Sequence, residues 1–175
     1  MAINCNRSFD LTNPALFKFT IDKLPNVEFF SYSVNIPGIT AGEIIQPTPI
    51  FDVKIPGDKM IFEPLIVNFL VNKDLSNYRE IVNWMIGLYK PQTTEQYKTL
   101  VTQRPDMSHA FNKYATAHMY VLSNKMNPLI DVVFYNLFPT ALSPLTYDAS
   151  ISDPTPITTD ATFNYTYYEI KAIES

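Results

Sequence analysis

The side chains that could serve as nucleophiles, general acids or metal ligands are few and scattered. The chain has two histidines, His109 in a polar segment and His118 in an alternating one, and a single cysteine, Cys5. The histidines lack the short spacing of a zinc-binding pair, and Cys5 lacks the surroundings of a thiol nucleophile. Asp131 stands among apolar residues and is a weak candidate general acid. The sequence therefore predicts no catalytic residue and no metal ligand, and we do not expect an enzyme.

Cofactor sites are equally unsupported. The four glycines form neither a phosphate-binding loop nor a dinucleotide fingerprint, and no Gly-x-Ser-x-Gly motif is present. One cysteine cannot build an internal disulfide framework or a cysteine-based zinc site. We expect no bound cofactor.

Composition points to a folded domain whose surface is poor in charge. Of 175 residues, 46% are hydrophobic and 14% aromatic, but only 17% are charged, with a net charge of −4. A surface of this kind is often an assembly surface. Without a dense basic run, affinity for nucleic acid is not expected. No apolar run reaches the roughly 20 residues of a membrane span, and the first residues do not resemble a secretory signal, so we expect no membrane insertion and synthesis in the cytoplasm.

The elements that would position these residues are mainly strands. Fourteen prolines against four glycines separate short apolar runs, several of which alternate with period two. The pattern predicts about seven antiparallel strands, at 15–23, 28–36, 64–72, 114–122, 129–138, 145–151 and 161–170. One helix is predicted from an N-cap at Asp74 to Pro91. We expect a single domain over 1–175, with an N-terminal tail (1–13) and a polar loop (91–113).

Residues 39–59 differ from the rest, because they are apolar and yet interrupted by prolines. Proline cannot occupy a central strand, which favours an extended arm or hairpin over a strand of the main sheet. An ordinary loop folded over the core is the alternative. If the segment protrudes to contact a neighbouring subunit, the candidate interface residues are Ile44, Ile45, Pro47, Ile50, Phe51 and Asp58.

Several stretches also follow one another in a distinctive order. They are Ile36-Pro37-Gly38-Ile39, then Ile55-Pro56-Gly57-Asp58-Lys59, then the hydrophobic run 62–71, and then a helix from Asn77-Tyr78 to Trp84, followed by closing strands over 138–169. In this order and spacing, nearly the whole chain resembles the tail tube fold of contractile-tailed bacteriophages.

The resemblance implies a β-sandwich or partly open barrel with one flanking α-helix, six copies of which form a ring. It implies a ring of the tail tube, either the repeated major tube protein or the initiating ring at the baseplate. Homo-hexamers would stack on other tail rings, and tail sheath and baseplate proteins would be partners. Genomic DNA would pass through the lumen without specific binding, helped by the acidic balance. The protein would belong to the virion tail and assemble in the host bacterial cytoplasm.

A monomeric β-sandwich that binds a ligand, such as a carbohydrate, through exposed tyrosines and Trp84 is the alternative function. Trp84 lies between Ile81 and Met85 at helical spacing, which instead favours a core or interface position. Solution mass separates the two functions, since a ring-forming protein should oligomerise and a binding module should not.

Overall fold

The computed structural model describes residues 13–24, 27, 31–89, 113–148, 150 and 155–173. The predicted tail and polar loop, with Cys5 and His109, lie outside the described residues except for Asn13 and Lys113. Within the described part, nine strands and one helix are present: β1 (Phe17–Ile21), β2 (Ser31–Val34), β3 (Ile39–Pro47), β4 (Asp52–Phe62), β5 (Leu65–Leu70), α1 (Ser76–Tyr89), β6 (Ala115–Leu122), β7 (Pro128–Leu142), β8 (Thr158–Asn164) and β9 (Tyr167–Ala172).

Seven of the strands form one antiparallel sheet that is folded into two layers. Its order is β1-β6-β7-β8-β5-β2, with β9 also paired to β7. The first half of the 15-residue strand β7 pairs with β6 and β9, and its second half pairs with β8. Strand β7 therefore belongs to both layers. The predicted fold class, mainly β with one helix, is confirmed.

A bulge at Asn136 lets β7 change direction between the two layers. The register shifts between the pairs Phe134–Ala117 and Leu137–Ala115, and Asn136 takes a φ of 57°. Asparagine tolerates this left-handed conformation better than most residues. Its side-chain amide donates a 3.1 Å hydrogen bond to the Thr166 hydroxyl, which ties the bulge to the turn before β9.

The core lies between the layers and is filled by one face of each alternating strand. Strand β5 contributes Leu65, Val67 and Phe69, and β8 contributes Ala161 and Phe163. The helix closes the core through Ile81 and Trp84, which is 3% exposed and packs against the Phe163 ring. The indole N–H donates to the backbone oxygen of Lys113 at 3.2 Å. Trp84 is thus a core residue and unavailable for stacking on a ligand.

Two predicted strands differ from the structure. Residues 145–148 of the run 145–151 are not in a strand, and the remainder lies largely outside the described residues. Alternation alone does not supply a partner strand, and Pro144 offers no backbone N–H for pairing. The run 161–170 is divided into β8 and β9 by a turn at Tyr165 and Thr166. The sheet still has seven strands because β9 replaces the missing one.

The helix also begins differently from the prediction. Asp74 is not its N-cap, because the first helical bond runs from the Arg79 N–H to the Leu75 carbonyl. The entry is held by Asn77, whose side chain is fully buried. Its amide donates to the Leu70 carbonyl at 2.7 Å, and its carbonyl accepts from the Asn72 N–H at 3.3 Å. Asn77 thus joins the end of β5 to the start of α1.

Replacing Asn77 with leucine should therefore destabilise the domain. Asn77→Leu removes these partners from the part-buried Leu70 carbonyl and Asn72 N–H, which should lower the free energy of unfolding by about 2–4 kcal/mol. The matched control is Asn83→Leu on the exposed face of the same helix, with an expected change within about 0.5 kcal/mol. Urea unfolding followed by circular dichroism measures both. Equal effects of the two substitutions would show that the Asn77 hydrogen bonds do not hold the helix.

Candidate assembly surface

Two of the titratable residues singled out in the sequence, His118 and Asp131, form a pair on the outer side of the sheet. The His118 Nδ1 lies 3.1 Å from an Asp131 carboxylate oxygen, and the imidazole stacks on the Tyr120 ring. The sheet register places them together, since Tyr120 is opposite Asp131 on adjacent strands. No group of three or more potential metal ligands occurs among the described residues. The ion pair links β6 to β7, so both side chains have a structural role in the sheet.

The apolar segment forms a separate two-stranded sheet, here called the arm (residues 39–62). Strand β3 pairs with β4 in antiparallel register from Ile39–Phe62 to Pro47–Asp52. Its prolines occupy permitted places, since Pro47 ends a strand, Pro49 lies in the turn and Pro56 borders a bulge. The arm extends three residues beyond the predicted 39–59.

The two faces of the arm differ in chemistry. Ile44 lies opposite Ile55, and Val53 follows on the same face two residues away. Ile45 points to the other face, where the Lys54 ammonium lies 3.0 Å from the Glu43 carboxylate. Ile44 and Ile45, which the sequence analysis grouped together, therefore lie on opposite faces of the arm. The face of Ile44 is apolar, and the face of Ile45 carries a charged pair.

The end of the arm presents two large apolar side chains to solvent. The Thr48 hydroxyl accepts a 3.2 Å hydrogen bond from the Phe51 N–H and also contacts the Phe51 carbonyl oxygen, which closes the turn. Ile50 is 89% exposed, and Phe51 is also exposed. The predicted residues Pro47, Ile50 and Phe51 thus come together at this tip, defined as residues 47–51.

The remaining predicted residue, Asp58, lies away from the tip in a bulge of β4. Residues 57–59 are accommodated between the pairs Glu43–Pro56 and Ala41–Met60. The residues Pro56-Gly57-Asp58-Lys59 do not form a turn, because β4 continues through them, and Gly57 does not have a positive φ. Gly57 is needed for space, because a Cβ there would lie 2.9 Å from the Gly42 carbonyl oxygen.

An aromatic cluster (Phe62, Phe134, Tyr165 and Tyr168) fixes the base of the arm to the sheet. The Phe62 ring lies 6.0 Å from the Tyr165 ring and 5.8 Å from the Tyr168 ring, and Phe134 contacts both tyrosines from the core. The Tyr165 hydroxyl donates to the Glu63 carbonyl at 2.8 Å, and the Tyr168 hydroxyl donates to the Pro37 carbonyl at 3.2 Å. Both chain segments that enter and leave the arm are thereby held.

Burial raises the pKa of Tyr165 to about 12, and the neighbouring Tyr168 and Glu63 act in the same direction. Each of these influences favours the neutral phenol, which is the form that can donate to the Glu63 carbonyl. The hydrogen bond at the arm base therefore persists wherever Tyr165 keeps its proton.

Sequence reasoning missed part of this surface. Five further large apolar residues of the arm are exposed, namely Ile39, Val53, Ile55, Met60 and Ile61. Val53 and Ile55 alternate with period two after Phe51, which was a local signal for a strand, whereas Ile39, Met60 and Ile61 lie outside such a pattern. The aromatic cluster gave no local signal because its members are up to about a hundred residues apart.

The whole chain was compared with known proteins and solved structures. No family model matches the chain. Over 144 residues, covering 79% of this chain and 75% of the relative, it is 28% identical to the tail tube terminator protein of Enterobacteria phage T4. A chain of the anti-feeding prophage cap, the tube terminating cap, superposes with a TM-score of 0.61 and 14% identity, covering 99% of this chain and 100% of that one.

Two other solved structures show the same architecture. A chain of the six-fold symmetrised anti-feeding prophage baseplate has a TM-score of 0.61 at 10% identity and covers 92% of this chain and 97% of its own. A chain of the sheath–tube complex of an extracellular contractile injection system has a TM-score of 0.57 at 14% identity and covers 95% of each. The chain has the tail tube fold. The resemblance found in the sequence is thereby confirmed.

The bulge in the arm of this tail tube fold should be sensitive to a single methyl group. Gly57→Ala forces its Cβ against the Gly42 carbonyl and should loosen the pairing of β3 with β4. The control is Gly42→Ala, whose Cβ would lie at an ordinary 3.6 Å from the Lys59 carbonyl oxygen. Hydrogen–deuterium exchange of residues 39–62 should be faster in Gly57→Ala and unchanged in Gly42→Ala. Identical exchange in the two variants would exclude close approach at Gly57.

The raised pKa of Tyr165 should make the domain sensitive to alkali. Unfolded tyrosine titrates near pH 10, whereas folded Tyr165 keeps its proton to about 12, so its contribution is complete below pH 10 and is lost as the pH rises toward 12. Chemical unfolding across this range should show a smaller loss of stability in Tyr165→Phe than in the wild type. Tyr147→Phe, which changes an exposed tyrosine, should retain the wild-type loss. If stability fell with pH in Tyr165→Phe as steeply as in the wild type, the alkaline loss would not come from Tyr165.

Proposed function

We propose that this protein is a structural component of a contractile tail that forms the ring ending the tail tube. The observation that carries the proposal is its 28% identity, over 79% of the chain, to the T4 tail tube terminator. The sequence analysis considered the major tube and the initiating ring at the baseplate. The relative adds a third position in the same structure, the terminal ring.

The exposed arm supports assembly into a ring with other copies of this chain. A two-stranded hairpin is marginally stable alone in water, and this one exposes nine large apolar side chains. Exposed apolar surface of this extent is typical of an interaction site. We infer that each arm contacts a neighbouring subunit and that six subunits close the ring, as the resemblance to tube proteins implies.

The remaining partners follow from the position of such a ring. The ring would stack on the last tube ring inside the virion tail, in contact with tail sheath proteins, after assembly in the host cytoplasm. Its lumen would pass genomic DNA without specific binding, which is consistent with a net charge of −4 and the repulsion of phosphates. No helix among the described residues is long and apolar enough to cross a membrane.

A monomeric binding module is less compatible with the geometry. Its predicted ligand surface combined exposed tyrosines with Trp84, and Trp84 is buried against Phe163, with its indole N–H donating to the Lys113 backbone oxygen. A non-catalytic, structural role also agrees with the His118–Asp131 pair, which bridges two strands of the sheet.

Light scattering combined with negative-stain electron microscopy of the purified wild-type protein tests the proposal. We expect discrete six-fold rings that do not lengthen as concentration rises, because a terminal ring must stop growth on one side. Long hollow tubes would instead assign the major tube role. A monomer at all concentrations would contradict assembly through the arm and support the binding module.

The apolar face of the arm should matter more for assembly than its charged face. Ile44→Asp places a carboxylate beside Ile55 and Val53 and should reduce ring formation strongly. The matched control Ile45→Asp alters the opposite face beside the Glu43–Lys54 pair and should have a smaller effect. Both sites are exposed, so the free energy of unfolding should change within about 0.5 kcal/mol. Normal ring formation by folded Ile44→Asp would show that this face does not dock.

A further inference from the structure

A groove lies between the segment that leaves β7 and the segment that enters β8. Its cavity measures about 420 Å³, and its lining includes Pro144, Thr146, Tyr147, Asp148, Pro156 and Ile157. Pockets for small ligands measure about 300–1,000 Å³, so this groove is at the small end of that range. It therefore suits a single long side chain better than a cofactor.

Backbone and hydroxyl hydrogen bonds next to the groove hold its two segments together. The Ser143 N–H donates to the Asp160 carbonyl at 3.0 Å, and the Thr159 hydroxyl donates to the Ser143 carbonyl at 3.1 Å. The Ile157 carbonyl accepts a 2.8 Å hydrogen bond from the Val71 N–H, which follows β5. The groove is therefore formed before any partner binds.

The lining is rich in hydrogen-bond acceptors. A carboxylate can only accept, and Pro144 and Pro156 lack backbone N–H groups but keep their carbonyls. The Ser150 hydroxyl and N–H both donate to the Asp148 Oδ1, at 2.7 and 2.8 Å. These bonds hold the pKa of Asp148 below its ordinary value, so the carboxylate is ionised at neutral pH. The lining therefore suits a ligand that donates hydrogen bonds and carries positive charge.

The segments that form the groove also lack positive charge. Residues 126–170 contain five carboxylates and no lysine or arginine. The chain that follows β5 beside Ile157 continues into Lys73 and Asp74, whose opposite charges balance. The local field therefore attracts a cation.

Tyr147 adds a reason to prefer arginine over lysine. Its side chain is 69% exposed, and it lines the groove together with Asp148. A guanidinium group is planar, so it can stack on an aromatic ring while its N–H groups bind a carboxylate, whereas an ammonium group is a strongly hydrated point charge. An exposed ion pair alone contributes little, so the ring and the carboxylate have to act together.

We infer that this groove binds an arginine side chain of another tail protein, stacked on the Tyr147 ring and paired with the Asp148 carboxylate. Within the described residues this chain has one arginine, Arg79, and it belongs to the helix α1. A groove between two non-helical segments instead suits an arginine on an extended segment, which favours a different protein as the partner. Only the identification of that partner as a tail protein rests on the proposed function.

Methyl NMR spectroscopy of the full chain tests the site, because methyl signals can be observed both in a monomer and in a ring. The methyl groups of Ile157 and Thr146 report on the groove. The probe is N-acetyl-arginine amide, and the comparison probes are N-acetyl-lysine amide and N-acetyl-citrulline amide, which has nearly the same shape as the arginine probe without its charge. We expect the arginine probe to bind with a dissociation constant on the order of 1–10 mM. This value should be at least about five-fold lower than for either comparison probe.

Two substitutions separate the contributions of the charge and the ring. Asp148→Asn and Tyr147→Leu should each raise the dissociation constant of the arginine probe at least about five-fold. Asparagine keeps the oxygen that Ser150 bonds, so the local turn is preserved. The matched control Asp58→Asn removes an equal charge from the exposed bulge of the arm and should leave the constant within about two-fold.

The outcomes distinguish this inference from the proposed function. Selective binding of the arginine probe that both substitutions weaken supports the site. Equal binding of the three probes, or no shift at any soluble concentration, overturns the site and leaves the proposed ring intact. The same methyl shifts on self-assembly without a probe assign the groove to a second copy and overturn the choice of partner. Arginine binding by a chain that never forms rings keeps the site but overturns the proposed ring and, with it, the tail partner.

Discussion

The packing of Phe62 between Tyr165 and Tyr168 is the interaction on which the functional surface depends. These rings join the last residue of the arm to the turn and strand that follow β8, and Phe134 anchors them in the core. The two tyrosine hydroxyls add hydrogen bonds to the backbone at both ends of the arm. An apolar hairpin that would otherwise sample many directions is thereby fixed at its base, which lowers the entropy lost when it docks.

The same arrangement explains why a charge-poor chain can expose so much apolar surface. In an isolated domain, a hairpin with exposed edges and isoleucines on both faces is an aggregation hazard. In the proposed ring a neighbouring copy covers the apolar face and removes that hazard, while the Glu43–Lys54 pair keeps the opposite face compatible with water. The bulge at Gly57 gives the arm a local irregularity where Asp58 is exposed, which discourages open-ended strand pairing along β4.

Sequence reasoning predicted the parts of this structure that are encoded locally. Alternation identified β5, and helical spacing identified α1 and the core position of Trp84. Proline placement marked the segment that forms the arm. Consecutive side chains of a strand point to opposite faces, so Ile44 and Ile45 separate as soon as the segment is a hairpin. Local patterns could not show that Ile55 lies beside Ile44 and Lys54 beside Ile45, because that depends on the register of β3 with β4.

Contacts between distant segments were beyond local patterns as well. In the sequence Asn77 looks like an ordinary helical residue, although its buried amide connects α1 to β5. Asp74 is of a residue type preferred at N-caps, which is why the sequence favoured it. The run 161–170 divides at Tyr165, whose hydroxyl donates to the carbonyl of Glu63, a partner 102 residues away. The proposed position at the end of the tube rests on the comparison with a relative, because the chains of the tube terminating cap and of the sheath–tube complex both superpose on this fold.

The central claim is that a neighbouring subunit covers the arm. Hydrogen–deuterium exchange measured on the wild-type protein at concentrations below and above assembly tests it most directly. The account predicts that amides of residues 39–62 become protected when rings form, while those of the exposed turn at 123–127 do not change. Rings that form with arm exchange identical to that of the free protomer would contradict it.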